Sequence, residues 1–224
     1  MKSICQIYSE AQELQKKGVK VISTDEKTGI QAIERKIIPM KPGLVEKQES
    51  EYIRHGTKCL ISNLEVATGK IIAPSIGDSR TELDFLEHIK QTVSQDESGE
   101  WIFIVDQLNT HKSASLVKWV AKQCQYQGNL GKKRVSGILK NMETRAIFLQ
   151  DSRHRIRFIY TPKHASWLNQ IECWFSILVR RLIKNNSFCS TKDLEEKILK
   201  FIDYFNQTMA KPFKWTYKGK PLQV

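Results

Sequence analysis

An unbroken apolar run, WIFIV, occupies residues 101–105 between the polar stretches ESGE and DQLNTHKS. Five residues are too few for a helix. Continuous hydrophobicity of this length marks a strand covered on both faces, as in sheets with helical crossovers. The strand delivers Asp106 at its C-terminal end. A second stretch, FIYTPKHASWLNQIECWFSILVRRL at 158–182, reads as a short strand, a proline-marked turn and a helix. Ser166 is the expected N-cap, and Leu168, Ile171, Phe175, Leu178 and Leu182 follow at helical spacing. Glu172 lies inside that apolar stripe, where a carboxylate is costly unless a partner pairs with it or it coordinates a cation.

The other elements follow from the same patterns. Residues 4–17 have helical spacing and stop at Gly18. Their apolar face either docks on the rest of the chain or belongs to the tail of an adjoining domain. Residues 19–24 form a β-rich run ending at Asp25 and Glu26, with a turn expected at Gly29. Another short strand is expected within 30–40, and polar residues 44–56 read as loop. TKCLISNLEVATGKIIAPSI reads as two strands joined at Thr68-Gly69. Helices are expected over 79–96 and 113–124, a strand over 156–160, and a final amphipathic helix over 190–209. Residues 124–154 fit no minimal alternation and read as an insertion with a helix over 136–149. The sum is an α/β chain: a mixed sheet with helices on its faces.

Charge separates the two halves. Residues 107–164 hold 12 Lys/Arg against 2 Asp/Glu, and residues 173–224 hold 10 against 4, within a chain of net charge +12. Such concentration favours a polyanionic partner, most simply nucleic acid. No run approaches the ~18 apolar residues of a membrane span, and the N-terminal sequence is not a signal peptide, so a soluble cytoplasmic protein is expected. Five scattered cysteines without a CxxC pair indicate neither a disulfide framework nor a zinc site.

Asp25 and Asp106 stand at expected strand ends and Glu172 on the helix after the last strand. Ligands collect at that end of open α/β sheets. Three converging acids would suit hard divalent cations, and Mg²⁺ prefers oxygen donors. Two such ions ~4 Å apart serve in-line phosphoryl displacement.

The motifs STDEKTGIQAIER, YIRHGT, VDQLNTHKS and YTPKHASWLNQIECWF resemble the DDE transposases of bacterial insertion sequences, in the branch related to mariner elements. The resemblance extends from about Gly18 to Trp215. It implies an RNase H-like fold with a five-stranded mixed sheet, and Asp25, Asp106 and Glu172 as catalytic residues that bind Mg²⁺ or Mn²⁺. It also implies action on element terminal repeats and target DNA, and a homodimer on DNA. In these terms residues 18–224 form the catalytic domain, and residues 1–17 are the tail of a region that would hold helix-turn-helix modules. Gln107 stands where the family usually has Asn, and the 124–154 insertion resembles one found in part of the family. A nuclease or resolvase of the same fold, or an inactive DNA-binding remnant, is the alternative.

Further residues are candidates for DNA contact: Arg54 and His55, His111 and Lys112, the basic run Lys132, Lys133 and Arg134, and Lys163 with His164 before the Glu helix. Glu26, adjacent to Asp25 on a strand, faces the opposite side. Trp167 and Trp174 are more readily core residues than base-stacking platforms.

Overall fold

A computed structural model describes residues 2–38, 40–43, 47–48, 50–184 and 186–217. Its framework is a five-stranded sheet in the order β5-β4-β1-β6-β7, built from β1 (Val19–Glu34), β4 (Ile53–Glu65), β5 (Ile71–Gly77), β6 (Glu100–Val105) and β7 (Ile156–Tyr160). β1, β4 and β5 pair antiparallel, whereas β6 joins β1 and β7 in parallel. A separate two-stranded ribbon pairs β2 (Ile37–Ile38) with β3 (Lys47–Gln48). The mixed sheet, with helices on both faces, is the RNase H-like arrangement expected from the sequence.

β6 shows why the apolar run had to be central. Trp101, Phe103 and Val105 face one layer, with α2 (Glu82–Val93), α3 (Ala114–Gln123) and α4 (Met142–Leu149). Ile102 and Ile104 face the other, against Ile4, Tyr8 and Ala11 of α1 (Lys2–Lys16). Alternate residues of one strand thus feed two cores, so no position tolerates a polar side chain. On the α1 side lie α5 (Ile171–Leu178) and α6 (Thr191–Thr208), whose Trp174, Phe175, Ile198 and Phe205 pack on Leu60, Leu64, Ile30 and Ala32.

Three elements depart from the sequence reading. Gly29 does not turn the chain. With φ 65° it sits in a register shift between Lys27 and Ile30, and β1 continues to Glu34. A glycine in a bulge bends a strand without ending it. Residues 53–56, expected as loop, open β4 and pair with this extension; they are exposed, so their composition carries no apolar alternation. Residues 44–46 and 49 of that expected loop lie outside the described residues. The insertion's helix is shorter than expected, starting at Met142 because Asn141 and Thr144 form a reciprocal capping box. The expected turn at Thr68-Gly69 is present, and glycine is required there. Its φ is 74°, and a Cβ would lie 2.0 Å from the Lys211 carbonyl oxygen.

His88 of α2 is 1% exposed; its Nδ1 pairs with Ser75 Oγ at 2.8 Å, and Nε2 has no partner. Burial pushes its pKa down to about 3. The folded protein therefore keeps His88 neutral while the unfolded chain protonates it near 6.5. Its contribution to stability is complete above that value and is lost as pH falls from ~6.5 toward ~3, by up to about 1.4 kcal/mol per pH unit. Urea midpoints measured from pH 7 to 4 should fall less steeply for His88→Asn; parallel slopes would remove this residue as a source of acid sensitivity.

Candidate functional site

The last paired residues of β1 and β6 are Ser23 and Ile104. Two residues beyond each stand Asp25 and Asp106, so the parallel register brings the aspartates abreast on neighbouring strands, which run about 4.8 Å apart. Asp25 does not end its strand as the sequence suggested. It lies within β1 where β6 stops alongside, still paired through its backbone with Ser62 of β4. Asp25 is buried; its Oδ1 accepts from Glu26 N at 2.8 Å and its Oδ2 from Asn169 Nδ2 at 3.2 Å. Burial pushes its carboxyl up to about 7 against the lowering effect of the backbone bond, and the charges of Asp106 and Glu26 add to the rise. For Asp106, burial also opposes ionisation, but hydrogen bonds from His111 and Leu108 outweigh it and hold the carboxyl below the usual range.

The helix bearing Glu172 is fixed to β1 by side chains. Residues 166–168 form a 3-10 turn and α5 starts at Ile171, so Ser166 is not its cap. The acceptor comes from β1 instead: Ile171 N donates to Ser23 Oγ at 2.9 Å. Ser23 Oγ donates in turn to Asn169 Oδ1. Asn169 Nδ2 donates to Thr24 O at 2.8 Å as well as to Asp25. Tyr8 of α1 adds a bond from its hydroxyl to Leu168 O at 2.8 Å. Ser23 and Asn169 are both fully buried. Glu172, in the first turn of α5, is half-buried, and its amide donates to Asn169 O at 3.1 Å. The backbone course thus carries Glu172 to the side of β1 that holds Asp25. Among the described residues, however, no three His, Cys, Asp or Glu side chains are gathered closely enough to hold a metal ion. Asp25 and Asp106 are paired; Glu172 does not complete a cluster with them.

His111, a candidate for DNA contact, does not reach the surface. It is fully buried, with Nδ1 2.9 Å from Asp106 Oδ1 and Nε2 3.0 Å from Glu26 Oε1. Burial works against its charge, but the bonds to Asp106 and Glu26 outweigh it and raise the pKa to about 9. Glu26 has a side-chain exposure of 2% and faces away from Asp25, as strand alternation requires. The neighbouring Lys112 donates to Gln107 Oε1 and lies over the Tyr160 ring at 4.7 Å. Gln107 Nε2 donates to Thr161 O at 2.6 Å, tying the turn after β6 to the end of β7.

The remaining candidates scatter. Lys163 and His164 are exposed just before α5, with His164 at φ 60°. Lys132, Lys133 and Arg134 form an exposed tip closed by a bridge between Lys132 and Ser136. Arg54 and His55 lie far along β4, seven or eight residues from Ser62 and hence roughly 25 Å from Asp25 at ~3.3 Å per residue. There Arg54 bonds to Tyr52 and His55 to Glu34. Trp174 is buried in the core, while Trp167 is half exposed with its ring edge-on to Tyr217. The sequence reading missed Asn169 and Ser23. Their signal was two small polar residues in apolar surroundings, each beside a candidate acid.

Sheet order and strand directions define an RNase H-like protein, with Asp25 inside β1 where β6 stops alongside and Asp106 directly after β6. The chain belongs to the DDE superfamily endonucleases, whose family model matches residues 20–195. No match is found among curated proteins. Two similar solved structures are the Mos1 mariner paired end complex with Mn (12% identity, TM-score 0.33, covering 95% of this chain and 62% of that one) and with Mg (15% identity, TM-score 0.33, covering 91% and 60%). The chain therefore spans less than two thirds of the length of these structures. Among its described residues no helix is long and apolar enough to cross a membrane.

Proposed function

We propose that the chain is the catalytic domain of a transposase that cleaves DNA strands and joins them to target DNA, using divalent cations. The observation that carries this reading is the placement of Asp25 and Asp106 side by side, forced by the β1–β6 register. Carboxylates so placed repel each other, and their oxygens suit a hard cation. Asp25 and Asp106 are the first two ligands, and Glu172, on the helix tied to β1 through Ser23 and Asn169, is the third. Divalent ions held there, Mg²⁺ or Mn²⁺ and two in the active complex, would supply charge to the attacking and leaving oxygens of an in-line phosphoryl displacement. The same geometry serves hydrolysis at an element's terminal repeat and then attack of the freed 3′-hydroxyl on target DNA. Lys112, near Asp106, and Lys163, ahead of α5, would meet phosphates of the bound DNA. A homodimer on DNA would allow two element ends to be handled together.

Incubation of the protein with labelled duplex DNA and Mg²⁺ or Mn²⁺ tests the reading. Metal-dependent strand cleavage that EDTA abolishes is expected; DNA binding without cleavage under either metal would sink it. The basic tip makes a separate, measurable contribution. Lys132, Lys133 and Arg134 are exposed and closely spaced. Neutralising all three with Gln should reduce the slope of log affinity against log salt by up to about 2.7, at ~0.9 per phosphate contact. An unchanged slope would take the tip out of the DNA interface.

A further inference from the structure

Asp106 is held by more than its place at a strand end. Its Oδ1 accepts two bonds, from Leu108 N at 2.8 Å and from His111 Nδ1 at 2.9 Å. The opposite ring nitrogen of His111 lies 3.0 Å from Glu26 Oε1. Both His111 and Glu26 are shut away from solvent, and the His111 ring also packs at 4.2 Å on Phe85 of α2. A second anchor comes from Tyr160 of β7, whose hydroxyl donates to His111 O at 2.9 Å. The imidazole therefore bridges two carboxylates from neighbouring strands with no freedom to turn.

We propose that Glu26 and His111 are positioning residues for Asp106. They lock its carboxylate by Oδ1, so that Oδ2 is the oxygen presented beside Asp25 to a divalent cation. The inference rests on the reading of Asp106 as a metal ligand. Glu26 has no direct part: it faces away from Asp25 and acts only through His111. Partners that orient a metal-binding side chain in this way alter affinity about 10- to 100-fold when removed.

The test measures binding of Mn²⁺ alone to the full chain, by calorimetry or by the loss of free-ion EPR signal, with far-UV circular dichroism as the control for folding. His111→Asn is expected to bind Mn²⁺ about 10- to 100-fold more weakly. Glu26→Gln, which keeps the shape of the side chain and offers an independent variant should His111→Asn not fold, is expected to weaken it in the same direction. The double variant should be no weaker than His111→Asn, because Glu26 works through the ring. His88→Asn, in a buried histidine away from the acids, should leave Mn²⁺ affinity unchanged. Wild-type affinity in a folded His111→Asn or Glu26→Gln protein would overturn the proposal, as would additive losses in the double variant. If Asp106→Ala binds Mn²⁺ as well as wild type, it is the metal reading of Asp106 that fails.

Discussion

Substituting Asp25 or Asp106 by Ala should lower metal-dependent strand cleavage by at least about a thousandfold. The figure follows from the several kcal/mol that bound cations contribute to a phosphoryl transition state and ~1.4 kcal/mol per decade of rate. Glu172→Ala should do the same if the half-buried carboxylate joins the aspartates when metal and DNA are bound. The fold should survive each change. Asp25→Ala in EDTA should melt no lower than wild type, because it removes a buried carboxylate that burial and the charges of Asp106 and Glu26 all disfavour. Cleavage rates on a labelled duplex, with melting curves in EDTA, decide the matter. Any of the three variants that cleaves at a near-normal rate drops out of the site. The Glu172 result is the most informative, since it separates a two-carboxylate centre from a three-carboxylate one.

The parts of this architecture that came through in the sequence are those set by short-range patterns. The WIFIV run could only be a central strand, and β6 is central, with Asp106 directly after it. Alternation and helical spacing placed most of the other elements for the same reason: each is buried on a defined face. The long β1–β4 arm was illegible because its outer part is exposed, so nothing in the composition of residues 53–56 reported the pairing. Long-range bonds were illegible too. The cap of α5 is Ser23, 148 residues away in sequence, and no local rule for helix starts can find it. His111 misled for the opposite reason. A histidine in a polar turn beside a lysine reads as a surface group, and only the register that brings Glu26 to face it explains its burial. The candidate acids were identified by position: Asp25 and Asp106 at expected strand ends, and Glu172 as a carboxylate inside an apolar helical stripe. Their supports, Asn169 and Ser23, are neutral, and an amide or a hydroxyl among apolar residues is a weaker signal than a charge.

Asn169→Ala should be among the most damaging single changes outside the acids themselves. Asn169 is fully buried and joins three groups of β1: the Ser23 hydroxyl, the Thr24 carbonyl and Asp25 Oδ2. Each hydrogen bond contributes about 1 kcal/mol net, and a buried partner left unsatisfied costs a further 1–3 kcal/mol, so a loss of about 3 kcal/mol is expected. Part of the damage should be functional. Asn169 lies two residues before α5, and its side chain ties that segment to β1, so its loss frees the Asp25 carboxylate and loosens the segment that leads into the Glu172 turn. Asn206 provides the control. It makes a comparable pair of bonds to Ile71, at 2.8 and 2.7 Å, on the far edge of the sheet. Asn206→Ala should lower the urea midpoint without changing the cleavage rate of the folded fraction, whereas Asn169→Ala should lower both. If the two variants lose stability equally and cleave equally well, the bonds around Asn169 hold the fold together but do not position the acids.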